Sequence, residues 1–319
     1  MKLVIQIPCF NEEESLPVTI SALPKQIAGI DEIEILVIDD GSTDKTSEVA
    51  YSLGVNRVEK MPVHKGLARA FIVGLSAALD MGADIVVNTD ADNQYCAEDI
   101  EKLISPVING TADIVIGARP VASIKEFSLL KRGLQKLGSA VMRILSSTSV
   151  KDAPSGFRAF SRQAAIQLNV FDNYTYTLET IIQARAKGLT VESVDINVNP
   201  SIRRSRLFSN IFSYVTKSTF TMLRMFIVYR PFRFFIILSL IALLIGLLIS
   251  LRFVWFYMAG MGKGHIQSLI FAAVFLISGV QIGLIAILAE LISINRKLLE
   301  DIQQRIKTHE LQNNSDSLK

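Results

Sequence analysis

Short apolar runs alternate with amphipathic stretches along the first 117 residues, regularly enough to predict strands and helices in turn. LVIQIP (3–8) reads as a buried strand ending at Pro8, and NEEESLPVTISAL (11–23) as a helix whose acidic first turn suits its N-terminal end. EIEILVIDD (32–40) is a second strand, stopped by the turn residues DGSTD, and DKTSEVAYSL (44–53) a second helix. VNRVEKM (55–61) follows as a strand, then HKGLARAFIVGLSAALDMG (64–82) as a helix with Gly82 at its C-terminal cap. ADIVVNTDAD (83–92), EDIEKLISPVI (98–108) and ADIVIGAR (112–119) continue as strand, helix and strand. Strands separated by helices need crossover connections, which predicts an α/β fold with a mostly parallel sheet flanked by helices. Ligands on such sheets sit at the carboxyl ends of the strands, where Pro8–Glu12, Asp39–Asp44, Asp90–Gln94 and Arg119 fall.

The pattern changes toward the C-terminus. Phe234 to Leu251 carries no charge, FVWFYMAG extends the run past Arg252, and Ile266 to Ala289 is a second uncharged run. About 20 residues rising 1.5 Å each cross a hydrocarbon core of about 30 Å, so both runs predict transmembrane helices, at about 234–257 and 266–290. Arg224, Arg230 and Arg233 precede the pair, and Arg296 and Lys297 follow it. The link between offers only Lys263, with Arg252 near the end of the first span. The positive-inside rule then places both termini in the cytoplasm.

Two further segments carry interfacial character. In 123–146, Phe127, Leu130, Leu134, Leu137, Val141 and Ile144 recur at helical spacing among Lys131, Arg132, Lys136 and Arg143. Such a helix either lies in the headgroup plane or packs on the soluble domain. Residues 207–229, apolar and basic, lead into Pro231. The expected organisation is a cytosolic domain over 1–205, an amphipathic juxtamembrane helix over 206–231, a membrane hairpin over 232–292 and a cytosolic polar tail over 293–319. In that tail a helix continues from 295 to 308 and QNNSDSLK frays.

A hydrophobic share of 50% and a mean hydropathy of +0.37 exclude a disordered chain. Cys9 and Cys96 cannot form a disulfide framework, and MKLVIQIPCF lacks the apolar core of a secretory signal, so the bulk of the chain is expected in the cytosol. The net charge of +3 conceals a division: −11 over 1–117, +12 over 118–233 and +2 over 234–319. The acidic third suits a divalent cation, and the basic middle suits phosphates or anionic headgroups.

No G-x-G-x-x-G follows a strand, no P-loop or H-E-x-x-H occurs, and His64, His265 and His309 are scattered. Carboxylates remain. Asp90-Ala91-Asp92 places two Asp side chains on one side of an extended segment, and Asn93 and Gln94 add neutral oxygens, a set suited to Mg²⁺ or Mn²⁺. Taken singly, this pair and Asp39-Asp40 are also what turns after strands favour.

Together, IPCFNEEESL, ILVIDDGSTDKT, HKGLARAF, VVNTDADNQY and APSGFRAF, followed by the two spans, resemble glycosyltransferase family 2. The likeness is to its polyprenyl-phosphate sugar synthases, such as those making dolichol-phosphate mannose and undecaprenyl-phosphate glucose. The resemblance implies a GT-A fold and an inverting, Mg²⁺- or Mn²⁺-dependent transfer at the cytosolic membrane face, from a UDP- or GDP-linked sugar to a polyprenyl phosphate. It assigns Pro8, Phe10, Glu12, Asp39 and Asp40 to the nucleoside, with Lys65, Asp90 and Ala91 also on the donor. Asp90, Asp92 and Gln94 are assigned to the metal, and Asp92 acts in catalysis through it. Asp152 matches the acidic residue at the reaction centre, where it orients the acceptor or serves as a modest base. Read alone, it is also a turn residue before Pro154 and Gly156. Arg158 steadies its loop, and Glu179 is a weaker candidate.

Where the family carries Arg-x-Gly-x-Ser-Lys, this chain has Asn199-Pro-Ser-Ile-Arg203-Arg204-Ser205-Arg206, without the Gly and with Arg206 for Lys. Arg203, Arg204, Ser205, Arg206 and Arg119 are assigned to the acceptor phosphate, although the three clustered arginines could equally grip the donor diphosphate or headgroups. Implied partners are the donor, the polyprenyl phosphate, the bilayer and further copies of the chain, with no nucleic acid. The alternatives are transfer to another lipid or glycan hydroxyl, and a noncatalytic membrane subunit that retains the fold.

Overall fold

LVIQIP is apolar on both faces because β1 (Lys2–Cys9) lies inside a sheet covered on both sides. In the computed structural model, which describes residues 1–120, 150–170, 176–200, 220, 223–224, 226–260 and 266–317, the chain divides into two units. One comprises Met1–Met222 with Gln304–Lys319, the other Leu223–Gln303. The expected helix at 123–146, Arg203, Arg204, Ser205 and Arg206, most of the segment 206–231 and the link 261–265 lie outside the described residues.

The first unit holds a seven-stranded sheet in the order β3-β2-β1-β4-β6-β5-β7. The remaining strands are β2 (Glu32–Asp39), β3 (Arg57–Lys60), β4 (Ile85–Asn88), β5 (Ile114–Ala118), β6 (Arg158–Ser161) and β7 (Val191–Asp195). All neighbours run parallel except β6, which is antiparallel to both β4 and β5. Helices α1 (Leu16–Ala22), α2 (Thr46–Ser52), α3 (Leu67–Asp80) and α4 (Ile100–Ile108) occupy the predicted crossovers. One core layer joins Leu3, Ile5, Ile7, Val37, Ile85 and Val87 to Leu16, Ile100, Leu103 and Ile104. Beyond the predicted elements come α5 (Arg162–Gln167), α6 (Thr177–Ala186), β6 and β7.

Three expectations need correction. The first strand runs through Pro8 to Cys9, because β4 pairs only as far as Gln6 and the missing proline N–H interrupts no ladder on that side. Helix α1 starts at Leu16, so Glu12, Glu13 and Glu14 form the preceding loop rather than a first turn. Strand β4 ends at Asn88, so Asp90 and Asp92 sit in a turn, where Asn93 takes φ +54°, and not on an extended strand.

In the second unit, α7 (Pro231–Met258) and the start of α8 (Ile266–Ser317) are long and apolar enough to cross a membrane, with mean hydropathies of 3.0 and 2.5. Small residues let the two backbones approach. The Ser239 hydroxyl donates to the Gly279 carbonyl at 2.7 Å, a Cβ on Gly279 would meet Leu243 at 2.7 Å, and one on Gly246 would meet Leu276 at 2.8 Å. Leu240, Leu244, Leu248, Ile270 and Phe271 are exposed. Where QNNSDSLK was expected to fray, α8 continues to Ser317, as no glycine or proline follows Gly283 to end it.

Candidate active site

At the carboxyl edge of β1 and β2 two loops are laced together by side chains bonding backbone. The Asn11 N–H donates to the Ser42 hydroxyl at 2.9 Å, Thr43 N–H to Asn11 Oδ1 at 2.9 Å, Glu12 N–H to the Thr46 hydroxyl at 2.8 Å and Lys45 N–H to Glu13 at 3.0 Å. Asp39 accepts from the Ser42 N–H at 2.8 Å and from the Ser47 hydroxyl. Asp40 accepts from the N–H groups of Lys65 and Gly66, each at 2.8 Å, and faces His64 Nδ1 at 2.8 Å. The Phe10 ring stacks on His64 with centroids 3.9 Å apart. Gly41 makes this closeness possible: it takes φ +72°, and a Cβ would lie 2.6 Å from the His64 backbone nitrogen.

Beyond β4 the arrangement differs. The Asp92 carboxylate accepts the Gln94 N–H at 3.2 Å, and Asp90 beside it has its pKa pushed up to about 7, first by burial and then by the charge of Asp92. Asp152, 1% exposed, is gripped by Arg119 through Nε at 2.7 Å and Nη2 at 3.1 Å, a bidentate fork. Burial works against the Arg119 charge, but Asp152, Tyr95 and Asp90 together more than offset it, so the guanidinium pKa is raised. Arg158 is fully buried and binds the 152–158 loop from beneath, donating to the carbonyls of Ala153 at 2.6 Å and Ser155 at 2.8 Å and to Thr180 at 2.7 Å. Burial lowers its pKa to about 10. A polar chain backs this loop: Gln6 donates to Asn88 at 2.9 Å, and Asn88 to the Gly156 carbonyl and the Tyr176 hydroxyl, both at 2.9 Å.

This second region fits a hard divalent cation. Its donors are oxygens, and a bound cation would relieve the carboxylate repulsion and desolvation that disfavour the Asp90 charge. Among the described residues no three His, Cys, Asp or Glu side chains are grouped to hold an ion by themselves, so water and substrate phosphate would complete the shell.

The sequence profile of glycosyl transferase family 2 matches residues 4–168. The chain belongs to glycosyl transferase family 2. It is 32% identical over 212 residues to the UDP-N-acetylglucosamine–dolichyl-phosphate N-acetylglucosaminyltransferase of Methanococcus voltae, covering 60% of this chain and 82% of that one. It is 29% identical over 206 residues to the polyprenol monophosphomannose synthase of Mycolicibacterium smegmatis, covering 61% and 76%. Glucosyl-3-phosphoglycerate synthase from Mycobacterium tuberculosis, crystallised with Mn²⁺, UDP and glucosyl-3-phosphoglycerate, superposes with a TM-score of 0.55 over 71% of this chain and 78% of that one. At 21% identity the likeness is one of fold, and that fold is GT-A.

On this family 2 framework the residues singled out in sequence fall into two groups. Phe10, Asp40 and Lys65 gather around His64, with Asp39 behind them and Pro8 buried in β1. Asp90, Asp92, Arg119 and Asp152 interact with one another, and the Glu12 charge reaches Asp90 from the first group. The Ala91 carbonyl accepts from Thr19 at 2.8 Å, and the Gln94 carbonyl from the Asn199 N–H at 2.8 Å. That last bond pins the stem of the arginine stretch to the Asp-x-Asp turn. Cys9 is buried with its thiol pKa raised, first by burial, in keeping with simple packing. His64, Tyr95, Asn88 and Gln6 were not singled out as site residues. The readable signal was a polar residue inside each of two apolar runs: Gln6 and Asn88 prove to be register partners.

Proposed function

We propose that the chain transfers a sugar from a UDP- or GDP-linked donor to a polyprenyl phosphate, with inversion at the anomeric carbon. The observation that carries this reading is the Asp90–Asp92 turn lying in one electrostatic cluster with the Arg119–Asp152 fork. The acceptors named for the curated relatives support the choice of acceptor.

Asp90 and Asp92, with Gln94, would hold Mg²⁺ or Mn²⁺, which supplies charge neutralisation for the departing nucleoside diphosphate. Phe10, Asp40 and the Lys65–Gly66 segment would seat the nucleoside on the other half of the edge. A lipid monophosphate has its second pKa near about 6 and is already largely dianionic at neutral pH, so its oxygen can attack the anomeric carbon without a strong base. Both Asp152 oxygens are occupied by the Arg119 fork, which favours an orienting role over proton abstraction. Arg119, so held, presents fixed positive charge to the incoming phosphate, with Arg203, Arg204, Ser205 and Arg206 contributing from the adjoining stretch. The two apolar helices would anchor the chain in the membrane with both termini cytoplasmic.

The test is to incubate the purified full-length protein with a panel of nucleotide sugars, polyprenyl phosphate and Mg²⁺ or Mn²⁺, and to weigh the lipid product by mass spectrometry. A glycosyl phospholipid is expected. Transfer only to hydroxyl acceptors, or none with any donor while the protein is folded, would overturn the reading.

A further inference from the structure

Gln6 and Asn88 are the polar exceptions in two apolar runs. They are register partners in the middle of the sheet, on β1 and β4, and both are fully buried. The Gly156 carbonyl can only accept, so Asn88 Nδ2 faces it, at 2.9 Å, and gives its second proton to the Tyr176 hydroxyl, also at 2.9 Å. That orientation turns Oδ1 toward Gln6, whose Nε2 donates to it at 2.9 Å. Gln6 Oε1 is left against Gly74 of α3, where a Cβ would stand 2.4 Å away, and among the described residues it has no hydrogen-bond partner.

Stability does not account for this amide pair. Two apolar side chains of similar shape would fill the same space without an orphaned oxygen, and such exchanges are close to neutral or stabilising. Nor does the Gly156 carbonyl depend on Asn88 for a partner, because the Tyr176 hydroxyl donates to it at 3.1 Å. What the amide adds is a fixed distance. Asn88 ends β4, two residues before Asp90, and its bond reaches the loop that opens at Asp152. At Gly156 that loop passes against the Asp90 carboxylate: a Cβ there would stand 3.1 and 3.3 Å from its two oxygens.

We infer that Asn88, oriented by Gln6, is a positioning residue that sets the spacing between the Asp90–Asp92 turn and the Asp152 loop, and so between donor and acceptor phosphate. The inference rests on the reading of function given above. Reactants held on separate loops react only across the right gap, and a misplacement of about 1 Å can cost about 100-fold in rate while each still binds.

Gln6→Met/Asn88→Leu keeps both shapes and removes the whole amide pair. Transfer kinetics are measured on the full-length protein in detergent with donor and acceptor each varied, beside thermal melts. Mn²⁺ binding with UDP and with GDP is followed by the electron paramagnetic resonance of the free ion. The expected result is a kcat lowered about 10- to 100-fold, with both KM values and the Mn²⁺ midpoint within about twofold of the parent's and the melting temperature kept. Asn88→Leu alone strands the Gln6 amide, so it should melt below the double variant while losing the same activity.

A parental kcat in the double variant overturns the inference. So does a Mn²⁺ midpoint that shifts as far as kcat, which would mean general loosening, and so does a kcat that recovers with the melting temperature between the single and the double variant. If the double variant does not fold, Gln6→Val/Asn88→Val, β-branched as suits a central strand, takes its place under the same criteria. Transfer by the parent only to a hydroxyl acceptor overturns the reading of function alone, and the variants are then compared with that acceptor. No transfer by the parent to any acceptor overturns both, an outcome seen before any variant is compared.

Discussion

The two halves of the sheet edge treat carboxylates in opposite ways. At the ends of β1 and β2, Asp39 and Asp40 are each supplied with N–H or hydroxyl donors from neighbouring loops, so their charges are spent holding backbone in place. Beyond β4, Asp90 is buried next to a second carboxylate and its charge is disfavoured. A carboxylate with its donors in place makes a scaffold, whereas one buried beside a like charge is suited to the proposed role of cation receptor. The same residue type therefore serves two purposes, distinguished by what surrounds it.

The comparison breaks first at the Arg119–Asp152 fork, where the largest effect is expected. Asp152→Ala leaves a partly buried guanidinium without its partner, and breaking a fully buried pair typically costs about 3–5 kcal/mol, which sets the upper end of the expected loss. A thermal melt should show the loss, and transfer activity should fall with it. An unchanged melting temperature would mean that the fork is not the structural tie its geometry indicates. Asp92→Asn comes next. It preserves shape and the turn bond to Gln94 while removing a charge from the proposed cation site, and about a 100-fold loss of transfer is expected with an intact melt. A noncatalytic subunit would be indifferent to that change.

How much of this contrast was legible in sequence depended on chain locality. The first five strands and four helices follow from periodicity because each is a local run with its own boundary residues. Strand β6 was not read, since RAFS is four residues long, begins with a buried arginine and follows a Pro- and Gly-containing loop. Its place between β4 and β5 is a long-range fact. Asp90, Asp92 and Asp152 were readable as residue types within motifs. The Arg119 fork and the bond from the Gly156 N–H to the Tyr95 hydroxyl were not, because they depend on how the loops after β4 and β5 and before β6 converge.

A smaller, pH-dependent effect sharpens the comparison. Unfolded, Asp90 ionises near about 4 like any aspartate, while in the fold its pKa is pushed up to about 7. Between those values the folded state binds more protons, so its stability falls as pH rises, and the penalty is constant above that window. Asp90→Asn should remove that slope and leave the metal-free protein more stable than the parent at pH 8. Melts in chelator from pH 4.5 to 8 would show it. A parallel pair of curves would mean that Asp90 carries no such penalty.

The smallest effect belongs to the scaffolding half. Asp40→Asn keeps one oxygen to accept from Lys65 or Gly66 but turns an amide toward the other N–H, so about one hydrogen bond is lost, worth about 1 kcal/mol. The melting temperature should drop by about 2–4 °C in a domain of this size. Without nucleotide, the midpoint of Mn²⁺ binding should not move, because Asp40 bonds the loop before α3 and is proposed to seat the nucleoside rather than the cation. If the Mn²⁺ midpoint shifted as far in Asp40→Asn as in Asp92→Asn, the two halves would be one coupled site. The division between scaffold and receptor carboxylates would then have to be drawn elsewhere.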